Sequence, residues 1–148
     1  MDTKTKLSDA LKQALRSNDD VTKRTTRMAL AAVKQAEVDR QTTLDDAAVV
    51  SILQKEVKNR RESIEEARKA DRTDLISENE AEIKVIEAFL PAAMSAEELR
   101  ALARSAITET GASTAADMGK VMKIVMAKVG GRAAGDQVSA VVRELLAK

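Results

Sequence analysis

Apolar residues in this chain recur every three or four positions and nowhere alternate one by one, which restricts it to amphipathic helices packed on one another. Leu7, Leu11, Ala14 and Leu15 mark the inner face of a first helix, and Asn18-Asp19-Asp20 breaks it and offers caps for a second. The second runs through Met28, Ala31, Ala32 and Val38 to near Arg40. Thr43-Leu44-Asp45-Asp46 supplies a hydroxyl cap and first-turn acids for a long third helix, striped by Val49, Leu53, Val57, Ile64 and Ala67. A break at Ala70-Asp71-Arg72-Thr73 precedes a fourth helix carrying Ile76, Ile83, Ile86 and Leu90.

Pro91 is the single proline and cannot extend that helix, which makes it the best domain boundary. Ser95-Ala96-Glu97-Glu98 then reads as a capping box, followed by Leu99, Leu102, Ala103, Ala106 and Ile107 and ended by Gly111. Met118, Val121, Met122, Val125 and Val129 form the next stripe, which Gly130-Gly131 stops. Val138, Val141, Val142, Leu145 and Leu146 belong to a last helix. The expected fold is all-α: a four-helix domain over 1–91 and a small three-helix domain over 92–148.

Phe89 is the only aromatic residue, and charged residues make up 33% of the chain, a balance that suits solvated helices better than sheets. Cysteine and histidine are both absent. Disulfides, thiolate catalysis, Cys or His metal sites and the usual neutral-pH general base are therefore excluded, and no metal or cofactor is expected. No apolar run approaches the roughly 18 residues a membrane span needs, and the Met1-Asp2-Thr3-Lys4 start opens no signal peptide. A cytoplasmic location is the corresponding expectation.

The net charge of +1 conceals a pattern. Residues 1–61 carry thirteen Lys/Arg against nine Asp/Glu, residues 62–87 four against nine, and residues 111–148 six against three. This reads either as ordinary solvated helix faces or as a basic surface for nucleic acid balanced by an acidic middle. Carboxylate pairs such as Glu65-Glu66 and Glu78/Glu82 fall on highly charged helix faces and lack the desolvation a catalytic acid–base pair needs. Gly119-Lys120 has neither the upstream glycine nor the following Ser/Thr of a P-loop.

Two stretches invite a binding reading. At about 100° per residue, Arg60 falls among the apolar positions of the third helix, with Glu56 one turn before it. It forms either an ion pair bridging two helices or an arginine held for a partner, while Lys55, Lys58 and Arg61 make the rest of that face basic. Lys120, Lys123 and Lys128 project opposite an apolar stripe, with Ile124 among them as a candidate exposed apolar contact. Lys128, Gly130, Gly131 and Arg132 set cations beside a glycine turn leading into a helix start, which suits either a plain helix cap or an RNA phosphate.

Lys55-Glu56-Val57-Lys58-Asn59-Arg60-Arg61-Glu62-Ser63, Glu80-Ala81-Glu82-Ile83 through Phe89-Leu90-Pro91, and Asp117-Met118-Gly119-Lys120-Val121-Met122 continuing to Gly131-Arg132-Ala133 together resemble the GatB/YqeY family, in its stand-alone YqeY-like form. The resemblance covers essentially the whole chain. It implies a C-terminal domain similar to the tail of the B subunit of the glutamine-dependent tRNA amidotransferase, which helps hold tRNA. Lys120, Lys123, Lys128, Gly131 and Arg132 map onto that tail. The amidotransferase's kinase-like and glutaminase chemistries sit in other parts, so a carbon–nitrogen ligase activity is not expected of this chain. The implied role is a non-catalytic module engaging tRNA or components of the aminoacyl-tRNA amidotransferase or synthetase machinery. The alternative is a helical protein–protein interaction module with no RNA role.

Overall fold

The structure, a computed structural model, describes residues 2–147 and contains seven α-helices and, among the described residues, no strand. They are α1 (Thr3–Ser17), α2 (Asp20–Arg40), α3 (Asp46–Lys69), α4 (Thr73–Glu87), α5 (Ala96–Thr110), α6 (Met118–Val129) and α7 (Gly135–Leu146), with one 3-10 turn at Ala115–Asp117. The chain divides into two compact units that part between Leu90 and Pro91.

In the first unit α1 pairs with α2, and α3 with α4. Asp2, Asp19 and Asp45 cap α1, α2 and α3 by accepting amide hydrogen bonds from Thr5, Thr22 and Ala48. The cap of α3 is thus the Asp45 carboxylate and not the Thr43 hydroxyl, which lies outside capping register. Asn18, Gln41 and Asp71 close helix ends in the left-handed region. Leu7, Ala29, Val33, Val49, Leu53, Val57, Ile64, Ile83 and Ile86 form the core.

The inner face of α2 differs from the expected stripe. Met28 and Val38 are exposed, and Thr25, Thr26, Ala29 and Val33 are buried in their place. The two threonine hydroxyls donate to the carbonyls of Val21 and Thr22, both at 2.7 Å, and so enter the core with their polar atoms satisfied. Leu15 likewise is exposed, leaving Leu7 and Ala14 to carry the buried face of α1.

In the second unit α5, α6 and α7 pack pairwise around Leu99, Ala103, Ala106, Val121, Val125, Val129, Val138, Val142 and Leu146. Ser95 and Glu98 close a full capping box on α5, and Gly111 and Gly130 end α5 and α6 at φ +68° and +56°. Ile124, expected to be exposed, is half-buried and packs against this core. Its position on α6 lies to the side of the Val121–Val125 stripe, within reach of the neighbouring helices.

Candidate nucleic-acid interface

The four candidate cations of the second unit, Lys120, Lys123, Lys128 and Arg132, separate into two pairs. Lys120 and Lys123 are exposed on the side of α6 away from the core, and neither closes an ion pair among the described residues. Lys128 turns toward α5, where its Nζ lies 3.2 Å from Glu109 Oε2. Arg132 is tied down more thoroughly. Its Nε donates to the Ala92 carbonyl at 3.0 Å and its Nη2 to Glu98 Oε2 at 3.2 Å, while its own carbonyl accepts from the Met94 amide at 2.9 Å. Glu98 Oε2 also accepts the Ser95 amide of the capping box, so one carboxylate joins the start of α5 to the turn after α6.

The Gly130-Gly131 turn serves as the C-cap of α6, with the Gly130 amide donating to Met126. At the start of α7, the Ala134 amide donates to Gln137 Oε1 at 3.3 Å, and the Gln137 amide to Asp136 Oδ1 at 2.9 Å. Of the two readings of Lys128, Gly130, Gly131 and Arg132, a plain helix cap or a phosphate site, the contacts seen are those of a helix cap and an interhelix clamp. An open groove beside it is lined by Met94, Glu98, Leu102, Ser105, Lys128 and Arg132.

The second basic face is also divided. Lys55 and Lys58 are exposed on α3, and Arg61 pairs with Glu87 of α4 at 3.0 Å. Arg60 points inward and is only 6% exposed. Its Nη1 donates to the Glu56 carbonyl at 3.1 Å and to Glu56 Oε2 at 2.7 Å. Its Nε lies 3.6 Å from Glu82 Oε2 of α4. Glu82, 7% exposed, also meets Arg24 Nε of α2 at 3.3 Å, and Arg24 Nη2 reaches Glu78 at 3.4 Å. Three helices thus converge on a charge network of two arginines and three glutamates. The Glu56–Arg60 pair was legible from spacing; Glu82, buried beside Arg24 and Arg60, read as a surface acid.

Several carboxylates at helix ends act as acceptors for nearby donors and are held below the ordinary range. The Thr3 amide and hydroxyl lower Asp46, and the Lys4 ammonium and Leu44 amide lower Glu37. The Thr22 side chain lowers Asp19, and the Ser113 and Thr114 amides lower Asp117. A carboxylate stabilised as the anion is a weaker base, and these four cap or clasp helix ends.

The model of the family described as Yqey-like protein matches residues 4–146. The chain belongs to the YqeY-like family. Among its relatives is the protein named Altered inheritance of mitochondria protein 41, mitochondrial. The Eremothecium gossypii form is 40% identical over a segment covering 70% of this chain and 58% of the relative. The form from Lachancea thermotolerans is 37% identical over 66% of this chain and 54% of the relative. The chain thus spans little more than half the length of these two proteins. A Pyrenophora tritici-repentis relative of the same name is 31% identical over 95% of this chain and 79% of its own length. The mitochondrial location in these names is said of those fungal members of the YqeY-like family. In this member, among the described residues, no helix is long and apolar enough to cross a membrane.

Proposed function

We propose that the C-terminal unit docks tRNA through its phosphate backbone, and that the chain is a non-catalytic accessory to tRNA or to the aminoacyl-tRNA amidation machinery, resident in the cytoplasm. The observation that carries this reading is the Lys120–Lys123 face of α6: two exposed lysines, neither committed to an ion pair, in a segment with six cations against three acids over 111–148. Backbone contacts of this kind set affinity and orientation without reading sequence. Similarity to the amidotransferase tail supports tRNA as the nucleic acid.

The protein–protein alternative drew on an exposed Ile124 and an unexplained Arg60. Ile124 packs on its own core, and Arg60 is held by Glu56 and Glu82. The test is filter binding of bulk tRNA to the full chain and to Lys120→Glu/Lys123→Glu. The proposal expects binding in the micromolar range or tighter at low salt and at least a tenfold loss in the double variant. Equal retention of tRNA by both forms rejects the α6 face, and partners that survive nuclease treatment in a pulldown favour the protein-interaction role.

A further inference from the structure

We infer that Met28 in the first unit is an oxidation site whose sulfoxide oxygen accepts a hydrogen bond from Arg60. Arginine has five N–H donors. In Arg60 the two on Nη1 are taken by Glu56; among the described residues the buried Nε has no hydrogen-bond partner, with Glu82 Oε2 at 3.6 Å, and Nη2 is offered only the Met28 thioether, with Sδ at 3.8 Å. A thioether is a weak acceptor, so this guanidinium is short of oxygen on the side facing α2. Met28 itself is 47% exposed, which opens it to solvent-borne oxidants.

The missing acceptor must be neutral. The linked groups Arg24, Glu56, Arg60, Glu78 and Glu82 comprise two cations and three carboxylates, so a further anion meets net negative charge. A sulfoxide oxygen carries no net charge and is a strong acceptor. In the reaction the Met28 sulfur lone pair attacks one oxygen of a peroxide. The S–O bond forms as the O–O bond of hydrogen peroxide breaks, and the departing hydroxide takes the proton of the transferred oxygen to become water, leaving the neutral sulfoxide. Sulfur is oxidised by two electrons and the peroxide reduced by two. The new oxygen lies within reach of Nη2. Oxidation of a buried core methionine disrupts packing; at Met28 it gives Nη2 a strong acceptor in place of a weak one.

Two measurements test this on the full chain. With limiting hydrogen peroxide, peptide mapping is expected to show Met28 converting several-fold faster than Met94, Met118 and Met122, which pack against the second core. Conversion of Met28 no faster than those three overturns the inference. Met28→Gln places a neutral carbonyl oxygen near the sulfoxide position, whereas Met28→Leu keeps the bulk and removes the acceptor. The glutamine variant is expected to melt roughly 2–6 °C above the leucine variant, and to lose that advantage when Arg60→Lys is added to both. A glutamine variant melting at or below the leucine variant, or an advantage that persists in the Arg60→Lys background, also overturns it.

Discussion

Arg60 Nε and Glu82 Oε2 lie 3.6 Å apart, on side chains 6% and 7% exposed, where α3 and α4 pack against α2. Burial of both charges makes each dependent on the other. Removing one partner weakens the compensation of the other, leaving Arg60 with Glu56 alone or Glu82 with Arg24 alone, whereas removing both relieves two desolvation penalties. Glu82→Ala alone is expected to destabilise the protein by about 1–3 kcal/mol in urea denaturation. Glu82→Ala with Arg60→Met is expected to cost less than the sum of the two single changes. Strict additivity would show that the pair is uncoupled.

Stability should depend on pH through the clasping carboxylates. Asp46 and Glu37 are ionised more readily in the folded state, because the Thr3 amide and the Lys4 ammonium, respectively, favour the anion. Their folded-state values lie below the unfolded values, near about 4. Their stabilisation is therefore full above about pH 5 and is lost as pH falls through the folded values. With no histidine in the chain, the stability curve should be level from about pH 5.5 to 7 and then drop toward acid. Asp46→Asn should be weaker than the parent at pH 7 and nearer to it at pH 3. A gap that stays constant between those values contradicts this account of Asp46.

Gln41 ends α2 at φ +52°, a conformation unfavourable for a residue with a Cβ. Gln41→Gly should stabilise the first unit by about 0.5–1 kcal/mol through relief of that strain, net of the added freedom in the unfolded chain. Thermal melting measures it. No gain in Tm would place the strain elsewhere.

Arg132 is expected to act on stability and only weakly on RNA. Its hydrogen bonds to the Ala92 carbonyl and Glu98 hold the start of α5 against the turn after α6. Arg132→Ala should lower the stability of the second unit by roughly 0.5–2 kcal/mol, since the side chain is partly exposed. Hydrogen exchange at the Ser95 and Met94 amides would report the loosening. Unchanged protection there would mean the clamp is not closed in solution.

What the sequence conveys and what it conceals follow from where partners lie along the chain. Caps and stripes are local, so the α5 capping box, the Gly111 and Gly130 stops and the α6 and α7 faces were all readable. The α2 face was not, because Thr25 and Thr26 read as polar until their hydroxyls are seen bonded to carbonyls one turn back. Glu82 concealed its burial for a different reason: its partners Arg24 and Arg60 come from other helices. The ion pairs of Lys128 and Arg132 were not readable, since Glu109 and Glu98 lie 19 and 34 residues upstream.

The salt dependence of tRNA affinity tests the docking face most directly. Each phosphate contact contributes roughly 0.7–0.9 to the slope of log affinity against log salt. Lys120→Gln/Lys123→Gln should leave Tm within about 2 °C of the parent, as surface changes do, and make that slope shallower by about 1.5. An unaltered slope with unaltered affinity would contradict the assignment of α6 as the RNA-facing helix.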